Sequence, residues 1–96
     1  MQQQTKTKHQ NRLDYFRRRM KFSTSHVGHL LGHKDSSTYC DYERGDRMPT
    51  LVNAFRLSAI LRTPVEFLFP FLYDGLRDAI RAEEERVAAP TQAVLF

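Results

Sequence analysis

The chain contains no tryptophan, one cysteine, four glycines and four prolines in 96 residues. A lone Cys40 excludes an internal disulfide framework. No apolar run approaches the roughly 20 residues that a helix needs to cross a bilayer, and the N-terminal segment has no signal-peptide pattern. A reducing cytoplasm is therefore the expected location, with no membrane partner. Catalytic constellations are missing as well: there is no nucleophile turn with a matching His and Asp, no glycine-rich phosphate loop and no pair of carboxylates on an expected pocket. Neither an enzyme nor a cofactor is expected. His26, His29 and His33 recur at spacings of three and four, but structural zinc sites favour several thiolates. No metal is expected, and Cys40 reads as a small packing residue.

Acidic charge is scarce in the first third of the chain. Residues 1–34 carry eight Lys and Arg side chains against Asp14 alone, a net +7. Residues 35–62 balance four acids against four arginines, and residues 63–96 set six acids against three arginines. One end can face a polyanion while the other faces away. The length fits a single domain with a compact core, to which a second copy could add burial.

The few glycines and prolines stand where helices stop and start. Tyr42-Glu43-Arg44-Gly45-Asp46-Arg47-Met48-Pro49 reads as a helix end, a left-handed glycine stop, a basic loop and a restart. Upstream, Gly32 ends an apolar run of Val27, Leu30 and Leu31, and Gly28 interrupts that helix where another backbone is expected to come close. Residues 1–11 read as a polar N-terminal arm carrying Lys6, Lys8 and His9. Leu13, Phe16 and Met20 recur at helical spacing and mark a first helix. Ser23 is the expected N-cap of the second, and Asp35 that of the third, with Tyr39 and Tyr42 or Glu43 facing the core. A fourth helix is expected from Thr50 to Leu61, with Leu51, Ala54, Phe55, Ser58 and Leu61 pointing inward. Thr63-Pro64-Val65-Glu66 reads as a capping box opening a short fifth helix. Leu72, Leu76, Ile80 and Val87 keep a helical period to about residue 87, and Ala93-Val94-Leu95-Phe96 closes the chain with an apolar tail.

From about Leu13 to Phe69 these residues resemble the lambda-repressor-like helix-turn-helix domain of the XRE regulators. The resemblance rests on Phe16-Arg17, Ser23, Val27-Gly28, Leu31-Gly32, Ser37-Thr38-Tyr39, Tyr42-Glu43-Arg44-Gly45, Arg47, Pro49 and the tail Leu57, Leu61 and Phe67-Leu68-Phe69. It implies an all-α fold with a five-helix DNA-binding domain over residues 12–70, whose second and third helices form the helix-turn-helix. Residues 71–96 would add a sixth helix and tail. In that arrangement the third helix enters the major groove. Ser36, Ser37, Thr38 and Asp41 would then read bases, and Ser23, Thr24, Lys34, Arg44, Arg47 and Asn53 would meet phosphates. The family pattern also implies a structural ion pair between Arg17 and Glu43.

Two positions depart from the family. Ser36 stands where a base-reading glutamine is common, and Asp41 where a basic residue is. The turn is one residue longer around His33-Lys34, which would push the Lys34 ammonium outward. The expectation is a sequence-specific transcriptional regulator, acting as a repressor on double-stranded DNA. It would bind a two-fold operator as a homodimer held through Leu72, Leu76, Ile80 and Val87. Two alternatives stay open: an antitoxin that represses its own operon and binds a toxin, and a protein-interaction adaptor that keeps the helices but no longer reads bases.

Overall fold

The computed structural model describes residues 10–88. Six helices occupy that span and it contains no strand: α1 Leu13–Arg19, α2 Thr24–Leu30, α3 Ser37–Arg44, α4 Leu51–Leu61, α5 Val65–Leu68 and α6 Pro70–Ala88. None is long and apolar enough to cross a membrane. Lys6, Lys8, His9 and the tail Ala93 to Phe96 lie outside the described residues.

Short polar side chains set the helix starts. Ser23 Oγ accepts from the His26 N–H at 3.0 Å, and Thr50 Oγ1 accepts from the Asn53 N–H at 3.1 Å. Each satisfies one of the donors that a helix leaves unpaired in its first turn. Asn11 belongs to the folded domain rather than to an arm. Its Oδ1 accepts from the Leu13 N–H at 3.0 Å, and its amide donates to the Tyr42 carbonyl at 2.8 Å, joining the start of α1 to α3. The Arg12 N–H donates to the Leu68 carbonyl at 2.8 Å and brings α5 to the same end.

Gly45 closes α3 with φ of 80°, a left-handed stop that suits a residue without a Cβ. Gly28 answers a different need. A Cβ at Gly28 would lie 3.0 Å from the Asp35 carbonyl oxygen and 3.1 Å from Ser36 Cα, so α2 passes directly against the entry to α3.

The core gathers one or two residues from each of the first five helices: Leu13 from α1, Val27 from α2, Tyr39 and Tyr42 from α3, Leu57 and Leu61 from α4, and Leu68 from α5. Leu31 and Phe69, at helix ends, complete it. Among the described residues, none beyond Phe69 is buried.

Three local expectations are corrected. The inner face of α4 runs through Leu57 and Leu61, whereas Leu51 is 72% and Phe55 61% exposed. Leu57 and Leu61 are one turn apart, and the face they define turns Leu51 and Phe55 away from the core. Thr63 forms no capping box. Its hydroxyl donates back to the Leu61 carbonyl at 2.9 Å, its own carbonyl accepts from Ser58 Oγ at 2.6 Å, and Pro64 stands as the cap of α5 without a side-chain bond. At α3 the boundary residue is Ser36, with no side-chain cap, while Asp35 just before it receives the Ser37 N–H at 2.9 Å. Asp35 therefore closes a local turn into the helix.

The sixth helix differs from the others. From Phe71 to Ala88 every residue is exposed, so α6 leaves the core at Pro70 instead of folding back along it.

Candidate nucleic-acid interface

The inner side of α3 is fixed by a polar cluster. Arg17 Nε donates to Glu43 Oε2 at 2.6 Å, and its Nη2 lies 2.9 Å from Asp14 Oδ1. Its Nη1 donates to the Phe22 carbonyl at 2.9 Å. Tyr39, one turn before Glu43, donates its hydroxyl to the same Glu43 oxygen at 2.5 Å. The side chains of Arg17 and Glu43 are only 11% and 13% exposed, so this is a largely desolvated ion pair with nearly all of its hydrogen-bonding capacity met. Burial, then the Glu43 carboxylate, pushes the Tyr39 phenol well above its ordinary value, which keeps it a donor. The hydrogen bond that Arg17 donates to Glu43 holds its guanidinium more firmly charged. Together these contacts tie α1, the Phe22 turn and α3 into one rigid piece.

The opposite side of α3 is open. Ser36 is half-buried where α2 crosses, Ser37 is exposed and Thr38 is half-buried. Ser37 Oγ donates to Asp35 Oδ1 at 2.7 Å, and this bond and the Ser37 N–H hold the Asp35 carboxyl below the usual carboxylate range. Lys34 is exposed on the turn before it and makes no ion pair among the described residues. Ser23 and Thr24 stand at the start of α2, the first exposed and the second half-buried.

The far end of α3 carries a charge network that the sequence reading did not foresee. Asp41 pairs with Arg44 through one oxygen and lies 3.7 Å from Arg47 Nε through the other. Arg44 Nε also donates to Asp46 Oδ2 at 3.0 Å, and that bond is the main reason its guanidinium is held charged. Asp41 thus faces the two arginines instead of standing free to accept from a base. The signal was in the spacing: Asp41 and Arg44 are three residues apart on a helix, and Gly45 folds the following loop back over them.

Asn53 is also engaged within the protein. Its Nδ2 donates to the Tyr42 hydroxyl at 3.0 Å and its Oδ1 accepts from Arg56 Nη1 at 3.1 Å, so the carboxamide joins α4 to α3. His26, His29 and His33 form no metal-holding group, and none exists among the described residues. Cys40 is a free, half-buried thiol.

Arg17, Glu43 and Tyr39 are thus brought together behind α3. Ser36, Ser37, Thr38 and Lys34 are placed along its entry, and Asp41, Arg44 and Arg47 along its exit. Leu72, Leu76, Ile80 and Val87 lie on the projecting α6, where Leu72 and Leu76 share a groove with Met48, next in sequence to Arg47. No family model matches this chain, and no curated protein matches it either.

Proposed function

We propose that the chain is a DNA-binding regulator in which α2 and α3 act as a helix-turn-helix. The entry of α3 lies in the major groove, with Ser36, Ser37 and Thr38 at base edges and Lys34, Arg44 and Arg47 on flanking phosphates. Ser23 and Thr24 at the start of α2 meet the backbone of the neighbouring strand. One observation carries this reading: α2 crosses the entry of α3 at the Gly28 backbone while the Arg17–Glu43 pair grips α3 from behind, so the short hydroxyl side chains are held outward on a rigid element. Two copies on a two-fold operator would repress by occluding a promoter.

Asp41 then acts as a brake on affinity. It neutralises two of the cations nearest the groove, and a phosphate must compete with it for Arg44 and Arg47. Asp41→Asn is expected to tighten binding to every duplex by about tenfold at low salt, a change that a removed repulsion and two released guanidinium groups readily supply. A gel shift with specific and mixed DNA checks this. Altered preference at one base position, with mixed-DNA affinity unchanged, would make Asp41 a base reader.

Arg47→Ala is expected to weaken binding about equally for all sequences and to lower the slope of log affinity against log salt by about one unit. Fluorescence anisotropy over a salt series provides the measurement. An unchanged slope with a changed preferred site would move Arg47 from the backbone to a base.

A second reading is supported by the charge balance at α3. Lys34, Arg44 and Arg47 are matched by Asp35, Asp41 and Asp46, so the face as a whole is neutral. A neutral helix face suits a protein partner better than a polyanion. In that case the chain is an adaptor, or the partner-binding half of a toxin and antitoxin pair. Absence of any shift with mixed DNA at low salt would favour it.

A further inference from the structure

α6 is a 19-residue helix with no buried residue, about 28 Å long at 1.5 Å per residue. Most helical stability in proteins comes from packing an amphipathic face rather than from propensity. The apolar face of α6 is well formed. Leu72, Leu76, Ala79, Ile80 and Val87 fall within one broad stripe, and the large ones are 44–58% exposed. Beside its first half, a groove of about 450 Å³ opens towards α4, lined by Met48, Leu51, Ala54, Leu72, Tyr73 and Leu76. Leu51, 72% exposed, forms its far wall. Apolar surface of this extent on one side of a small domain marks an interface.

We infer that the occupant is a second copy of this chain, with the two α6 helices pairing antiparallel about a two-fold axis at Ile80, so that the far half of each helix seats in the other's α4–α6 groove. The sequence of α6 is self-complementary in that register. Ile80 meets the partner's Ile80, and Leu72 meets the partner's Val87 at the mouth of the groove beside Leu51. Arg77 and Glu84 are seven residues apart and share one flank of the stripe, so antiparallel pairing brings Arg77 against the partner's Glu84, and twice over by symmetry. Glu83, the one acid within the stripe, comes beside the partner's Arg77 in the same register. A parallel pairing would put Arg77 on the opposite side of the seam from the partner's Glu84 and lose that contact. On the other flank Gly75, inside the helix, has no described residue beyond its own stretch of helix within 4 Å of where a Cβ would stand. Glycine there costs about 1 kcal/mol against alanine in an isolated helix, and it lets a second helix approach closely.

This deepens the two-copy part of the proposed reading but does not rest on DNA binding, because the test contains no DNA. Sedimentation equilibrium of the full-length chain from 1 to 100 μM, a range that brackets ordinary weak and strong dimers, is expected to give a dimer. Ile80→Glu is expected to be monomeric throughout, and Leu51→Lys to weaken the dimer by about tenfold or more. Arg77→Glu should weaken it likewise, and adding Glu83→Arg and Glu84→Arg should restore most of the loss. In a Cys40→Ser background, Ile80→Cys should oxidise readily to a covalent dimer while Arg81→Cys, on the opposite face, should not. A wild-type chain that is monomeric at 100 μM overturns the proposal and leaves the groove to the chain's own residues 89–96 or to another protein. A dimer indifferent to Ile80→Glu, or one that fails to cross-link at position 80, overturns it in favour of another face.

Discussion

Replacing Glu43 by alanine is expected to lower the stability of the fold by about 3 kcal/mol or more, among the largest effects of any substitution outside the apolar core. The carboxylate accepts from both Arg17 and Tyr39. Its loss leaves a guanidinium 11% exposed with only the half-exposed Asp14 and the Phe22 carbonyl, and an unpaired phenol against the core. An uncompensated charge in that position costs more than the intact pair contributes. Arg17→Ala should destabilise for the mirrored reason, though less, since Tyr39 still donates to Glu43. The double variant should cost less than the two singles added, because removing both partners leaves no orphan charge. Arg18→Ala is the control. Its ion pair with Asp14 is well exposed, so it should change stability by less than about 0.5 kcal/mol. Urea unfolding followed by circular dichroism gives all four values. A midpoint unmoved by both Glu43→Ala and Arg17→Ala would show that the pair does not clamp α3.

Helix starts and stops were legible in the sequence because each depends on one residue acting locally. Ser23, Thr50 and Gly45 do their work through a hydroxyl or a missing Cβ within a few residues, and no distant contact alters it. Gly28 was legible for a related reason: a glycine inside a helix is unfavourable, so a close approach had to explain it. What could not be read was which of several apolar residues faces inward. In α4 the residues Leu51, Val52, Phe55, Leu57, Ile60 and Leu61 leave almost no polar face, and helical period alone does not choose between two stripes. Position decided it, through Leu57 and Leu61 packing on the core. The Thr63 pattern misled because Ser58, a turn earlier in α4, captured the Thr63 carbonyl and drew the loop into a buried position where the hydroxyl turns to Leu61.

The candidate site divides along the same line. Residues on the inner side of α3 are fixed by burial, and a buried charge must find its opposite, so Arg17 and Glu43 have few choices. Residues on the outer side are governed by neighbours in the loop. Asp41 shows the difference. Read singly it is a potential hydrogen-bond acceptor for a base, but with Arg44 one turn on and Arg47 brought close by Gly45 it is first of all a counter-ion. The property of the surface is therefore its net charge, which is zero over Lys34 to Arg47 once Glu43 is assigned to Arg17 and the core. In the proposed DNA-binding reading, affinity on such a face must draw on helix geometry, on cations from α1 and on a second copy.

That dependence makes the largest expected functional effect one that touches no residue of α3. Ending the chain after Asp74 should leave the folded domain intact, because every buried apolar residue among those described precedes Pro70 and α5 is already tied to α1 by the Arg12 to Leu68 bond. The truncated protein would lose Leu76, Ile80 and Val87, and with them the means of linking two copies. In the proposed reading, the second copy binds a two-fold operator at an effective concentration set by the linkage, and losing it is expected to lower apparent affinity by about a hundredfold or more. Binding to mixed DNA, which needs only one copy, should change much less. The comparison requires three measurements on the same pair of proteins: thermal melts, affinity for a sequence selected from random DNA by the full-length chain, and affinity for mixed DNA. Equal affinity of both proteins for the selected sequence would separate α6 from DNA recognition. A truncated chain that fails to show a cooperative melt would instead make α6 part of the fold, against the exposure of its every residue from Phe71 onward.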